Sequence, residues 1–392
     1  MAEEWSNWSG SVSSRPRRSE RPRTEAEVQE IVQAARRDGL DVRVVGTGHS
    51  FMPIAATDGV LLSLDELSGL ESHSLERREA TVFGGTKLKR AGELLLERGL
   101  AMENLGDIDV QSIAGAIGTG THGTGPTFGN IPTQVKAMRI VTADGGVLRV
   151  SAEDDPEVFR AARVSMGTLG ITTAVELRLK SAFLLHERTW RMPFDDVMAQ
   201  LEELVANNEH FEFFWYPGLD VAECKSLNET TQQPESVEGI EGERIGWSAN
   251  IIPSVREMKF NEMEYSVPAD AGPECVKLIR ARLAETHPNV RWPIEYRTLA
   301  ADDAFLSTAF DRATVTISLH EDARRPFAEF FADIESIFSD HGGRPHWGKI
   351  HTRTRDELRG LYPMWDRFAG VRARLDPEGR FLNGYLRTLF GG

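Results

Sequence analysis

Four short stretches of the sequence carry residue types that chemistry can use. The first is Gly46-Thr47-Gly48-His49-Ser50, which follows the β-branched run Val42-Arg43-Val44-Val45. A buried strand running into glycines makes a tight turn whose backbone N–H groups face outward, a cradle for a phosphate. Ser50 adds a hydroxyl, and His49 is a group that a plain phosphate turn does not need. The bland alternative is a strand and turn with a surface histidine, and a lone Gly-x-Gly-His does not separate the two. The second stretch, residues 111–125, packs small residues at nearly every position yet sets Ile113 and Ile117 four apart. That spacing predicts one short helix whose N-terminus points at an anion. Thr119-Gly120-Thr121-His122-Gly123 then allows close backbone approach to a large ligand. Two phosphate-type loops in one chain argue for a dinucleotide rather than a single phosphate. Neither has the Gly-x-Gly-x-x-Gly or Gly-Lys-Ser/Thr pattern, which disfavours a doubly wound nicotinamide-binding domain.

The third stretch is Gly343-Arg344-Pro345-His346-Trp347-Gly348-Lys349. Trp347 can be plain core and Lys349 a solvated charge. A lysine held in a dense motif can instead offset negative charge that develops on a bound ring. The fourth is Glu295-Tyr296-Arg297. Strand periodicity puts Glu295 and Arg297 on one face. Spacing alone favours a cross-strand ion pair on a sheet surface, worth little; the functional alternative is a polar clamp for a polyol or lactone.

These stretches sit in a chain of 392 residues with 45 Lys plus Arg against 60 Asp plus Glu, a net charge of −15. An acidic balance argues against a nucleic-acid surface. The two cysteines, Cys224 and Cys275, make no disulfide framework and point to a reducing, cytoplasmic setting. No signal peptide and no run of apolar residues long enough to span a membrane is read, and no metal ligand set is assigned. Thr24 predicts an N-cap with Glu25 and Glu27 behind it, and Gly39 closes that helix. Strands are predicted over 42–45, 60–64 and 80–83, a helix over 87–98, a hairpin over 135–151, a short helix over 155–163 and a strand over 171–179. Near residue 180 the texture changes: glycine thins out and charged and aromatic residues rise, as in the alternating strand 210–216. Residues 228–246 are polar and read as a mobile loop. Helices are predicted over 274–285 and 326–338, with strands over 294–298 and 314–319 between them.

The combination of Gly-Thr-Gly-His-Ser-Phe, Leu-Gly-Asp-Ile-Asp-x-Gln-Ser-Ile-Ala-Gly-Ala-Ile-x-Thr-Gly-Thr-His-Gly-Thr-Gly, Phe-Glu-Phe-Phe-Trp-Tyr-Pro and His-Trp-Gly-Lys resembles the vanillyl-alcohol-oxidase-type FAD flavoproteins. Within them it is similar to the sugar-1,4-lactone oxidases and dehydrogenases and the related alditol oxidases. The likeness runs nearly the whole chain, with the motifs in the family's order. It implies an α+β fold of two domains: an FAD-binding domain over 1–178, a cap domain of antiparallel sheet and helices over 179–345, and a segment over 346–392 that returns to the FAD domain.

The resemblance also implies roles. Gly46, Thr47, Gly48 and Ser50 fall on the FAD pyrophosphate loop, and His49 falls where many members attach the flavin covalently. Asp107, Ser112, Gly115, Thr119, Gly120, Thr121, His122 and His346 fall on further FAD contacts, and Ile171 on a backbone contact near the adenine. Glu295 and Arg297 match the substrate-site Glu-x-Arg pair, which reverses the surface reading of them. Lys349 matches the lysine beside the flavin. Asp107, Ser318 and His320 stand where alditol oxidases carry a serine, a histidine and a threonine, which favours the lactone branch. Gly106 matches a position where glycine admits oxygen to the flavin and alanine hinders it. The implied reaction is oxidation of a lactone or polyol hydroxyl, with Glu295 or His320 taking the proton and molecular oxygen as the acceptor.

Overall fold

The computed structural model describes residues 4–254 and 258–391. Thr24 is extended and its side chain accepts the Glu27 N–H, so the helix Glu25–Arg37 starts where its first orphan donor is satisfied. It buries Val28, Val32 and Ala35 against a three-stranded parallel sheet ordered Arg18–Glu20, Val60–Ser63, Val42–Val45. Val42, Val60 and Leu62 are fully buried beneath it, each stabilising the layer by about 1.5–3 kcal/mol.

A second, antiparallel sheet runs in the order Val147–Ser151, Val135–Val141, Ile171–Arg178, Glu79–Phe83, Leu70–Ser74. The strand Leu70–Ser74 is exposed along most of its length, and its Leu-Glu-Ser-His-Ser carries no apolar alternation for a sequence reading to find. Under this sheet lies one large core. The helices Leu88–Leu96, Ile113–Thr119 and Pro156–Ala162 contribute to it, and so do Leu358, Trp365, Phe368, Leu386 and Phe390 from the C-terminal helices Arg355–Leu361, Trp365–Leu375 and Gly384–Phe390. Trp347 packs in the same core against Tyr362 and donates its indole N–H to the Leu306 carbonyl.

The C-terminal segment is tied to the N-terminal part by buried polar bonds. Arg43 donates to the carbonyls of Ile54, Met166, Gly167 and Phe381. Asn383 donates to the carbonyls of Pro53 and Ala56. The Val42 N–H binds the Arg380 carbonyl.

The remaining residues build an eight-stranded antiparallel sheet. Its order is Glu243–Trp247, Leu184–Pro193, Val221–Thr230, His210–Tyr216, Ile294–Leu299, Thr314–Asp322, Phe260–Pro268, Arg344–Pro345. Phe213, Trp215, Met263, Tyr265, Tyr296, Val315 and Ile317 share one face and pack with the helices Phe194–Ala206, Gly272–Thr286 and Ala328–Asp340. The alternate residues, Glu212, Glu262, Glu264, Glu295, Arg297, Thr316, Ser318 and His320, are buried as well. One face of the sheet is therefore an apolar core and the other a buried, charged wall. Period-two alternation encodes both faces, but it cannot say that the polar face is covered.

One sequence expectation is corrected here, and one is sharpened. Residues 228–246 are not a loop throughout: 221–230 and 243–247 are strands flanking Leu184–Pro193. Their polar side chains are paired, Arg244 with Glu187 and Asn228 with the Glu209 N–H, so polarity there does not mean mobility. Glu295 and Arg297 share a face as predicted, but that face is interior, at 4% and 5% exposure.

Candidate active site

The turn after Val42–Val45 forms as its residues demand. Gly48 has φ +70°, a conformation a side chain would strain, and a Cβ on Gly46 would lie 2.4 Å from Ser112 Oγ. The two glycine-rich loops therefore close on each other. The turn is also bonded to the C-terminal motif, the Phe51 N–H donating to the Gly348 carbonyl at 2.7 Å. Between these parts runs a channel. Gly46, Thr47, Gly48, His49, Ser50, Ser112, Gly115 and Thr119 line it, with Arg43, Gln111, Met166, Gly170 and Thr172.

A second cavity adjoins it and shares His49, Ser50, Gln111 and Thr119 with it. Its walls include Trp8, Asp107, Thr121, His122, Phe260, Glu262, Glu264, Glu295, Arg297, His320, His346 and Lys349. His49 thus stands at the junction. Trp8 stacks on its ring at 4.9 Å, and its Nδ1 is buried with no hydrogen-bond partner. Burial and the nearby Lys349 push the imidazole down to about 4, so the ring is neutral at physiological pH and keeps a lone pair. A glycine-lined channel that meets an orphaned imidazole nitrogen fits a dinucleotide whose ring system reaches the second cavity.

The second cavity is organised by two carboxylates on the strand Phe260–Pro268. Glu264 is 1% exposed. It accepts from His122 Nε2 at 2.7 Å, from Arg297 Nη2 at 2.9 Å and from Ser318 Oγ at 2.8 Å. Burial alone would raise its carboxyl, but His122 and Arg297 outweigh that and hold it well below the ordinary range. Glu262 is held low against burial mainly by its ion pair with Lys349, with His320 adding to the effect. Arg297 reaches a third carboxylate, Glu295 Oε2, at 3.3 Å, while Glu295 Oε1 has no hydrogen-bond partner. Glu295 moves the other way. Burial pushes it up to about 7 despite Arg297, and Glu212 and Asp107 add to the rise. Two ring orientations are set by backbone: His320 Nδ1 donates to the Pro293 carbonyl at 2.9 Å, and His346 Nδ1 accepts the Gly348 N–H at 3.1 Å. Asp107 is bonded to Ser254 Oγ at 3.0 Å.

Most of the residues singled out in the sequence converge on these two cavities; Gly106, Ser318, Gly120 and Ile171 do not line them. Ser318 lies behind the wall, its hydroxyl committed to Glu264. Gly120 is the left-handed C-cap of Ile113–Thr119 and faces Val164. Ile171 turns its side chain into the core, and its neighbours Gly170 and Thr172 reach the channel. The expected short helix forms, but Ser112 at its N-cap makes no side-chain capping bond. Sequence reading missed Arg43, Gln111, Glu262 and Glu264. The last two had a signal: Met263-Glu264-Tyr265-Ser266-Val267 alternates cleanly and ends at Pro268, a strand pattern.

With this geometry in place, the comparisons with known proteins bear on it directly. The D-arabinono-1,4-lactone oxidase family matches residues 175–248 and 237–389, and an FAD binding domain matches residues 16–151. L-gulono-1,4-lactone dehydrogenase of Mycobacterium tuberculosis is 38% identical over the whole of both chains. L-gulonolactone oxidase of Bos taurus is 30% identical, covering 98% of this chain and 97% of the relative. Among solved structures, cholesterol oxidase from B. sterolicum superposes with a TM-score of 0.86 over 99% of this chain and 96% of that one, at 16% identity, which is a likeness of fold. The two-domain α+β architecture is that of the vanillyl-alcohol-oxidase-type flavoproteins, and the chain belongs to the D-arabinono-1,4-lactone oxidase family of FAD-dependent oxidoreductases.

Proposed function

We propose that the chain oxidises a hydroxyl-bearing carbon of a sugar-1,4-lactone, of the L-gulono-, L-galactono- or D-arabinono- type, and passes the electrons to molecular oxygen. The observation that carries this reading is the Glu295–Arg297–Glu264 cluster. It is buried, faces His320 and Lys349, and opens on the cavity that His49 joins to the dinucleotide channel. FAD, when bound, supplies the two-electron acceptor that takes hydride from the substrate carbon. Residues of the Gly46–Ser50 turn, with Ser112 and Gly115, would hold its phosphates, and His49 would carry it covalently.

The protein's own contribution is positioning and charge. Arg297, locked by Glu264, presents a fixed guanidinium to the substrate oxygen as negative charge develops there. Glu295 Oε1 is a ready acceptor for a second substrate hydroxyl. His320 donates at Nδ1 to Pro293, which leaves Nε2 as the ring atom that would receive the hydroxyl proton. Lys349 brings positive charge to the flavin side of the cavity. Phe260, in edge contact with His320 at 5.2 Å, helps to keep that side dry.

Gly106 favours oxygen as the acceptor. A Cβ there would lie 2.9 Å from Thr121 Cγ2, at the edge of the second cavity. The dehydrogenase named among the relatives makes a non-oxygen acceptor the competing reading. The deciding experiment measures hydrogen peroxide release with gulono-, galactono- and arabinonolactone against xylitol and sorbitol. Lactone-dependent peroxide that falls in Gly106→Ala while turnover with an artificial dye persists supports an oxidase. Dye reduction without peroxide makes it a dehydrogenase, and activity on the polyols alone overturns the substrate. The covalent link is checked separately: acid-precipitated protein stays yellow, and His49→Ala releases its flavin. We place the protein in the cytoplasm, in keeping with two buried, unpaired thiols, Cys224 and Cys275.

A further inference from the structure

The fold gathers a candidate metal-ligand set inside the second cavity. One ligand atom each from Glu262, Glu295 and His320 lie within 4.8 Å of one another, and all three residues are buried. We infer that these three side chains form a site for a divalent transition-metal cation of the zinc class, and that the cation there excludes the substrate. That exclusion rests on the substrate reading above; the metal site itself does not.

Three observations carry it. His320 donates Nδ1–H to the Pro293 carbonyl, which leaves Nε2 as a fixed donor to a metal, the arrangement seen around ligating histidines. Glu295 Oε1 has no hydrogen-bond partner although the residue is only 4% exposed, and it sits in the wall of this cavity. Glu262 Oε1 is already 3.6 Å from His320 Nε2, while Lys349 is held by the other oxygen. Ligand atoms about a tetrahedral zinc stand roughly 3.3 Å apart, given bonds of about 2.0–2.1 Å, so the set needs only small side-chain rotations to close.

Charge favours a cation as well. The wall carries four acidic side chains, Asp107, Glu262, Glu264 and Glu295, beside Arg297, Lys349 and His122. One imidazole with two carboxylates suits zinc better than magnesium or calcium, which take six or more oxygens. Such a site leaves a fourth position toward the open cavity, where a lactone hydroxyl would otherwise lie.

The test is calorimetric titration of the FAD-loaded protein with zinc chloride, beside steady-state kinetics. The expected result is one zinc per chain in this cavity, no heat with magnesium, and affinity reduced 10- to 100-fold or more in His320→Ala and in Glu262→Gln. Zinc should inhibit lactone turnover competitively. Binding that is absent, or unchanged in both variants, overturns the site. Inhibition that lactone does not relieve overturns the exclusion. The flavin absorbance of each variant shows that the cavity is intact. If zinc binds as described and no lactone is turned over, the substrate reading fails and the metal site stands.

Discussion

Glu264 and Glu295 show how two carboxylates on one buried wall acquire opposite characters. Glu264 has three donors and stays ionised; it is the fixed partner that orients Arg297. Glu295 shares only part of that guanidinium and lies among further negative charge. Its carboxyl, ordinarily near 4.5, is pushed up to about 7. A carboxyl raised in the folded state binds its proton more tightly there than in the unfolded chain. Ionising it therefore costs stability: nothing below about pH 4.5, a growing amount up to about pH 7, and the full amount above. Glu295→Gln removes that cost. Its melting temperature relative to the parent should rise between pH 5 and pH 8, and thermal unfolding at both values checks this. A difference that does not change with pH shows that Glu295 is not raised.

At the scale of elements, the site is made where loops from one half meet a strand face from the other. The turn at 46–50 and the segment around Ser112 fit only because Gly46 has no side chain. Gly46→Ala should leave the fold intact and lower the flavin-to-protein ratio several-fold, since the new methyl displaces the Ser112 hydroxyl. Gly46→Ala with Ser112→Ala removes the clash and should recover part of the flavin. Absorbance of the purified proteins reads both, and full flavin in the single variant would show that the approach does not matter. The polar wall across from this turn illustrates the limits of sequence. The alternation of Ile294–Leu299 is legible as a strand, but a charged face reads as solvated. It is interior here because Asp107, Ile108, His122, His346 and Lys349 stand across the same cavity from it.

At the scale of the molecule, the chain returns on itself. Arg43, next to the glycine turn at 46–50, spends its guanidinium on four carbonyls, one of them Phe381 far along the chain, and burial pushes it down to about 10. Removing it strands those acceptors, and Arg43→Ala should cost about 3–5 kcal/mol. Arg43→Lys should restore little, because one ammonium cannot reach a fan of carbonyls. Denaturant unfolding measures the loss, and early proteolysis of residues 346–391 should accompany it. Unchanged stability would mean the C-terminal segment is held by its apolar packing alone. Among the described residues no helix is long and apolar enough to cross a membrane.

The sequence by itself determined what local chemistry and period can encode. That covers the glycine turns, the capped helix after Thr24, the strands with alternating faces, and the order of motifs that marks an FAD oxidoreductase. Side-chain type and spacing suffice for these because the forces involved are local. Only the tertiary structure decided which polar faces are dry. It put the Glu295–Arg297 pair, which spacing alone would leave on a surface, in the interior. It brought Glu262 and Glu264, from a strand with no motif, onto the same cavity. It also moved Ser318 and Gly120 off the wall. Burial depends on what packs opposite, and what packs opposite lies hundreds of residues away in the chain.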